Sequence, residues 1–234
     1  RIARKFEVNL DTTLPNIAYR ETVGGQTSVS YKHKKQSGGH GQYGHVVLDI
    51  SPGETGKGIT FDSKVVGGNV PKDYIPAVEK GVRNAASSGV VAGFPVVDVA
   101  VMLTDGSSHS VDSSGMAFEI AASMGFRQAV REARPPLLEP VMKLRILTPE
   151  DCAGDVMSDL STRRAQIGGM DSKGNGVTEI IAEAPASTMQ RYAADLRSLT
   201  NARGDFTAIM DHYEPLPAQE ANKVIASRQS NEEE

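Results

Sequence analysis

Cysteine is nearly missing from this chain: Cys152 is alone among 234 residues. A single thiol excludes an internal disulfide and any cysteine-based metal cluster. Long apolar runs are missing too. None approaches the roughly 20 residues that a membrane helix needs, and no signal peptide opens the chain. The five histidines, His33, His40, His45, His109 and His212, have neither H-x-x-H nor H-E-x-x-H spacing, so no metal site is expected. Carboxylates vanish between Glu21 and Asp49. With 23% charged and 39% hydrophobic residues, the composition is that of an ordinary globular protein in a cytoplasmic setting. The chain opens "RIARKFEVNL" without an initiator Met and reads as a piece of a longer protein.

What is present is unevenly distributed. The net charge of −4 argues against a general nucleic-acid coat. Yet residues 1–136 carry 15 Lys/Arg against 13 Asp/Glu, while residues 137–234 carry 10 against 16. A local basic surface is therefore compatible with an acidic average.

Proline marks the main boundary. Pro135 and Pro136 in "ARPPLLEP" end a helix, because proline lacks the backbone donor and restricts the residue before it. Before that boundary, "SVSYKHKKQ" and "GHVVLDISP" predict a hairpin with a long, mobile glycine-rich tip. "GITFDSKVV" predicts another strand. "PKDYIPAVEKGVRNAASSG" has helical spacing at Ile75, Val78, Val82 and Ala85, with Gly89 as its stop. "FPVVDVAVMLTD" predicts a buried strand. "SSGMAFEIAASMGFRQAVREAR" predicts a long amphipathic helix capped by Ser113 or Asp112.

After the boundary the chain repeats itself. Pro149, Asp159, Leu160 and Gly168 recur 36 residues later as Pro185, Asp195, Leu196 and Gly204. Each copy runs strand, proline, helix, Asp-Leu, basic residues, strand. Two copies make a βαββαβ ferredoxin-like sandwich. A helical segment with Ala221, Val224 and Ile225 on one face follows, then an acidic end.

The stretch "KHKKQSGGHGQYGHVV", residues 32–47, carries three lysines among its glycines. A phosphate-binding P-loop needs a following Lys-Ser/Thr and a helix; here the lysines come first and a strand follows. A plain hairpin turn and an RNA contact both remain open on local features. For RNA, Lys32, Lys34 and Lys35 supply charge, His40 and Gln42 hydrogen bonds, and Tyr43 a stacking face. In "TDGSSHSVDSS", His109 with Asp112 and a serine could suggest a hydrolase, although triads are rarely built from sequence neighbours. Helix caps explain these residues at least as well. Arg163, Arg164, Arg197 and Arg203 fit either solvated helix ends or a second RNA-facing patch.

Several long motifs in order are similar to the C-terminal half of the elongation factor G family: "IAYRET", "KQSGGHGQYGHV", "GGNVPKDYIPAVEKG", "VDSSGMAF", "LLEPVMKLRILTPED", "GDVMSDLSTRRAQIGGM" and "YAADLRSLTNARGDFT". The resemblance implies an α+β chain of two domains. Residues 1–15 would end a preceding domain III. Residues 16–136 would form domain IV, a blade like the second domain of ribosomal protein S5. Residues 137–214 would form ferredoxin-like domain V, and residues 215–234 a helix returning to domain IV with an acidic tail.

Family contact positions map to two tip segments. One comprises Lys34, Lys35, Ser37, Gly38, Gly39, His40, Gly41, Gln42, Tyr43 and Gly44. The other comprises Ser107, Ser108, His109, Ser110 and Asp112. Arg163, Arg164, Arg197 and Arg203 would face the large subunit. The implied partners are the ribosome's small-subunit decoding centre, the tRNA–mRNA duplex in the A site, the large-subunit stalk base and the sarcin–ricin loop. The protein would act as a monomer without membrane contact. No cofactor is implied for these residues, and GTP and Mg would belong to a GTP-binding domain outside them. His40, Ser108, Ser110 and Gly115 stand where the family commonly has Arg, Tyr, Asp and Glu. Those departures leave a recycling or ribosome-protection paralogue as an alternative to translocation.

Overall fold

The computed structural model describes residues 15–37, 40–67 and 69–232; the side chains of Ser37, His40 and residues 229–232 are outside that description. The proposed end of domain III before Pro15, the glycines Gly38 and Gly39, and the last two residues of the tail are likewise outside it. The described residues form two compact units, residues 19–138 with 215–232, and residues 15–18 with 139–214. No helix among the described residues is long and apolar enough to cross a membrane.

The first unit is built on a four-stranded sheet. Strand β1 (Arg20–Glu21) lies outside it; β2 (Thr27–Ser37), β3 (His40–Pro52), β4 (Ile59–Ser63) and β5 (Val99–Ser107) form it in the order β2-β3-β5-β4. β4 runs parallel to β5, and helix α1 (Ile75–Ser88) lies between them in the chain. Alternation along β3 and β5 sends Val46, Leu48, Ile50, Val99, Val101 and Leu103 to one face. There they meet Val78 and Val82 of α1, and Phe118, Ala122 and Phe126 of α2 (Gly115–Glu132). Each such large side chain contributes about 1.5–3 kcal/mol on full burial.

The hairpin differs from the expectation. β2 and β3 pair from Thr27↔Ile50 through to Ser37↔His40, so the expected long, mobile tip is strand almost to its end. Gly41 and Gly44 sit within β3.

At the other end of this unit Glu21 is fully buried. Its carboxylate accepts the backbone N–H groups of Val90, Val91, Ala92 and Phe94 at 2.8–3.2 Å. Nearby, Phe94, Leu137 and Leu216 form a small core with Tyr19, Ala221, Val224 and Ile225. Those last three lie on the C-terminal helix, α5 (Ala218–Glu232), which thus packs within this unit.

The second unit has strands β6 (Leu137–Pro149, from Glu139 onward), β7 (Gln166–Gly174), β8 (Val177–Pro185) and β9 (Asp205–Pro215). Their order is β9-β6-β8-β7, with helices α3 (Ala153–Thr162) and α4 (Tyr192–Leu199). This is the ferredoxin-like sandwich that the repeat predicts. Pro149 and Pro185 each precede a short 3-10 turn leading to a helix, with nearly identical backbone angles. Leu160 and Leu196, also repeat partners, are buried in one core with Leu144, Ile146, Ile180 and Tyr192.

Candidate nucleic-acid interface

The pairing of β2 and β3 sorts the hairpin residues by face. Lys32 stands opposite His45 and Lys34 opposite Tyr43, while His33 stands opposite Gly44 and Lys35 opposite Gln42. Paired residues share a face, so a first face carries Lys32, Lys34, Tyr43 and His45, and the opposite one His33, Lys35 and Gln42. Lys34 and Lys35 are exposed. On the second face, His33 Nε2 and Gln42 Oε1 are 3.0 Å apart.

On the first face, Ser107 at the end of β5 links two of these residues. Its Oγ lies 2.7 Å from the Tyr43 hydroxyl and 2.9 Å from His45 Nδ1. The other ring nitrogen of His45 lies 2.8 Å from Ser30 Oγ. Burial, and then the charge of Lys32, push the His45 pKa down, with Asp105 opposing. His45 is therefore biased towards the neutral form, and the chain of contacts from Ser30 through His45 to Ser107 fixes the Tyr43 hydroxyl in place.

The second tip segment returns to the same strand. β5 leaves β3 at the His45↔Ser107 pair, and the chain comes back so that Ser113 forms a parallel bridge with Tyr43. Tyr43 N–H donates to the Asp112 carbonyl at 2.8 Å, and the Ser113 hydroxyl donates to the Tyr43 carbonyl at 2.9 Å. Gly41 N–H donates to Asp112 Oδ1 at 3.1 Å. Within the loop, His109 N–H donates to Ser113 Oγ at 2.8 Å. The amides of Asp112 and Val111 point at His109 Nδ1, at 3.2 and 3.4 Å. An Nδ1 that accepts from amides leaves the proton of the neutral ring on Nε2. With its side chain 53% exposed, His109 then offers an outward hydrogen-bond donor.

The cap of α2 is a correction. Ser114, in extended conformation, accepts the Ala117 N–H at 3.2 Å. Ser113 and Asp112, the expected caps, are instead engaged with β3. Ser108 and Ser110 are exposed and Ser107 is half-buried. Val111 and Met116, 74% and 67% exposed, add apolar surface beside this loop that sequence reasoning passed over. An apolar residue inside a polar loop was the available signal.

The glycine-rich strand does not fit a nucleotide. Gly39-x-Gly41-x-x-Gly44 has the spacing of a dinucleotide fingerprint, but that motif needs a helix after the glycines. Here β3 continues. A side chain at Gly41 would meet the Asp112 carboxylate at 2.7 Å, and one at Gly44 the Ala117 carbonyl oxygen at 2.6 Å. The glycines make room for the protein itself.

A hydrolase does not fit either. His109 Nδ1 is 3.3 Å from Asp112 Oδ2, but among the described residues no serine hydroxyl bonds to Nε2. Ser113 Oγ is already used by His109 N–H and the Tyr43 carbonyl. A nucleophile facing its base is missing from this arrangement. Among the described residues no cluster of His, Cys, Asp and Glu has the geometry of a metal site.

The second unit places its arginines differently from one another. Arg163 is only 16% exposed; it binds Asp159, Asp195 and the Thr188 carbonyl, and lies 5.1 Å from the Tyr192 ring centroid. Its guanidinium joins α3 to α4. Arg164 makes a two-pronged contact with the buried Glu139. Arg203 pairs with Asp151 at 3.1 Å and Arg197 is exposed. Burial and the neighbouring Asp151 raise the Cys152 thiol pKa, as suits a packing residue.

Comparison with known proteins agrees along almost the whole chain. Residues 15–134 match the family model described as elongation factor G, domain IV, and residues 136–224 match elongation factor G C-terminus. Proteins named elongation factor G are similar to it: one from Jannaschia sp. (strain CCS1) is 49% identical over 97% of the chain. Another, from Ruegeria pomeroyi, is 46% identical over 97% of the chain. The chain spans 32% of the length of each. A crystal structure from Thermus thermophilus superposes with a TM-score of 0.85 at 38% identity, covering 97% of this chain and 34% of that one.

Proposed function

Because the chain belongs to the elongation factor G family and comprises its domain IV and C-terminal domain, we propose that it is the ribosome-contacting arm of a translocation GTPase. In this reading the hairpin tip and the 107–113 loop enter the A site of the small ribosomal subunit, where they contact the tRNA–mRNA duplex. GTP and Mg act in another part of the intact protein. Hydrolysis there lets the arm reorient, and the occupied A site blocks backward movement of tRNA.

One observation carries the reading: the end of a hairpin that has no carboxylate between Glu21 and Asp49 is stapled to a second polar loop. Lys34 and Lys35 answer phosphate charge, Gln42 and the outward N–H of His109 answer oxygen acceptors, and Tyr43 offers a ring face. The second unit, with Arg197 and Arg203, faces the large subunit near the stalk base and the sarcin–ricin loop. Binding is salt-sensitive because phosphate contacts release counterions.

A recycling or ribosome-protection role is the second reading, favoured by His40, Ser108, Ser110 and Gly115 at positions where the family commonly differs. The test uses the intact factor with Gln42→Ala and His109→Ala. Single-turnover translocation slows while ribosome-triggered GTP hydrolysis is nearly unchanged. An unaltered translocation rate ends the proposal. Efficient splitting of post-termination ribosomes without translocation would select the second reading.

A further inference from the structure

We infer that Asp112 is a positioning residue that latches the two tip segments into one surface and does not itself contact RNA; the inference rests on the proposed RNA-facing role of the tip. Gly41 and Asp112 lie 71 residues apart in sequence, and their hydrogen bond joins backbone to side chain. Three hydrogen bonds fall together where β5 has already departed from β3: Gly41 N–H to Asp112 Oδ1, Tyr43 N–H to the Asp112 carbonyl, and Ser113 O–H to the Tyr43 carbonyl. Asp112 and its neighbour thus serve as a short substitute strand along the first stretch of β3.

The charge of Asp112 is directed inward. Oδ1 accepts the Gly41 amide, and Oδ2 sits 3.3 Å from His109 Nδ1. A carboxylate facing phosphates would repel them; one that accepts a backbone amide of the same fold repels less. Gly41 is the matching half of the device. Any side chain there would place its Cβ 2.7 Å from Asp112 Cγ and 2.8 Å from both carboxylate oxygens, so only glycine lets the latch close. Through Asp112 the latch also fixes His109, whose Nδ1 faces the amide and carboxylate of that same residue. One residue therefore sets the spacing of the hairpin and the orientation of the neighbouring donor.

Hydrogen exchange on the full 234-residue chain and translocation by the intact factor together test this. In Asp112→Ala the Gly41 amide exchanges about ten- to a hundredfold faster, as expected for loss of a hydrogen bond to a charged acceptor. Asp112→Asn keeps an acceptor oxygen and restores, relative to the alanine variant, most of the protection and most of the translocation rate. Gly41→Ala opens the latch from the other side, and combining it with Asp112→Ala adds little beyond either change alone. Unchanged Gly41 exchange in Asp112→Ala overturns the latch. Loss of translocation in Asp112→Asn with protection intact overturns it too, because the charge would then be what RNA reads. Faster exchange in Asp112→Ala with normal translocation removes the positioning role. The Gln42 and His109 variants judge the RNA-facing reading separately, since Gly41 exchange does not depend on it.

Discussion

The carboxylates of Asp159 and Asp195, equivalent positions of a 36-residue repeat, converge on the single guanidinium of Arg163, each at 2.7 Å. The repeat thus produces two helices of like pattern, and one residue outside the shared pattern ties them together. Arg163 also donates to the Thr188 carbonyl at 2.8 Å. Removing it leaves two acids and a carbonyl without their partner. Arg163→Ala should destabilise the second unit by about 3 kcal/mol, near the lower end of the cost of breaking a buried ion pair. Arg163→Lys keeps the charge but not the planar fork and should cost roughly half as much. Urea unfolding followed by circular dichroism reads both. Unfolding midpoints equal to the parent chain's would mean that Arg163 is free for another task.

Glu21 is the largest departure from what its residue type suggests. In sequence it is one acid in "YRET"; in the fold it is fully buried and gathers four backbone amides from the turn after α1. Glu21→Ala strands those donors, and each buried unsatisfied group costs about 1–3 kcal/mol. The first unit should lose at least about 4 kcal/mol, since relaxation spares part of the sum. Thermal unfolding checks this. A loss under about 1 kcal/mol, the level of an ordinary surface change, would refute the hub role.

These two cases show what could and could not be read beforehand. The repeat was visible in Pro149, Asp159 and Leu160, because one supersecondary unit repeats its own turn and core positions. The long helix before Pro135 and the strand at Val99 were visible through periodicity. Partners brought together only by the fold were hidden. Gly41 needs Asp112, and Gly44 needs the start of α2, both about 70 residues further along the chain. Without those partners the glycines look like a mobile loop. The cap at Ser114 was missed by one residue because Ser113 is recruited by Tyr43.

His212 gives the second unit a pH-dependent element. Its ring nitrogens lie 3.0 Å from Glu214 and 2.8 Å from Asp211, and these acids, Glu214 first, raise its pKa above 6.5. A raised folded-state pKa means stabilisation that is complete below the unfolded value, about 6.5, and lost as pH rises through the folded value. The stability difference between the parent chain and His212→Gln should therefore be largest in mild acid and shrink towards alkaline pH. Because the group is exposed, the difference should be small and fall with added salt. Urea midpoints from about pH 5 to about pH 9 would check it, and a difference growing with pH contradicts it.

The final prediction separates packing from flexibility at the tip. A Cβ on Gly44 would lie 2.6 Å from the Ala117 carbonyl oxygen and 2.8 Å from its carbon, both backbone atoms at the start of α2. They cannot yield by rotating a side chain; either β3 or the helix must shift. Gly25 is the internal control, with nothing within 4 Å of its added Cβ. Gly44→Ala should cost about 1–3 kcal/mol, the usual range for overpacking, whereas Gly25→Ala should stay within about 0.5 kcal/mol. Differential scanning calorimetry of the two variants is sufficient. If Gly44→Ala proves as benign as Gly25→Ala, the glycines serve flexibility and the tip is not a stiff blade. If it is costly, the glycine-rich stretch is where a strand, a returning loop and a helix start are held in close contact.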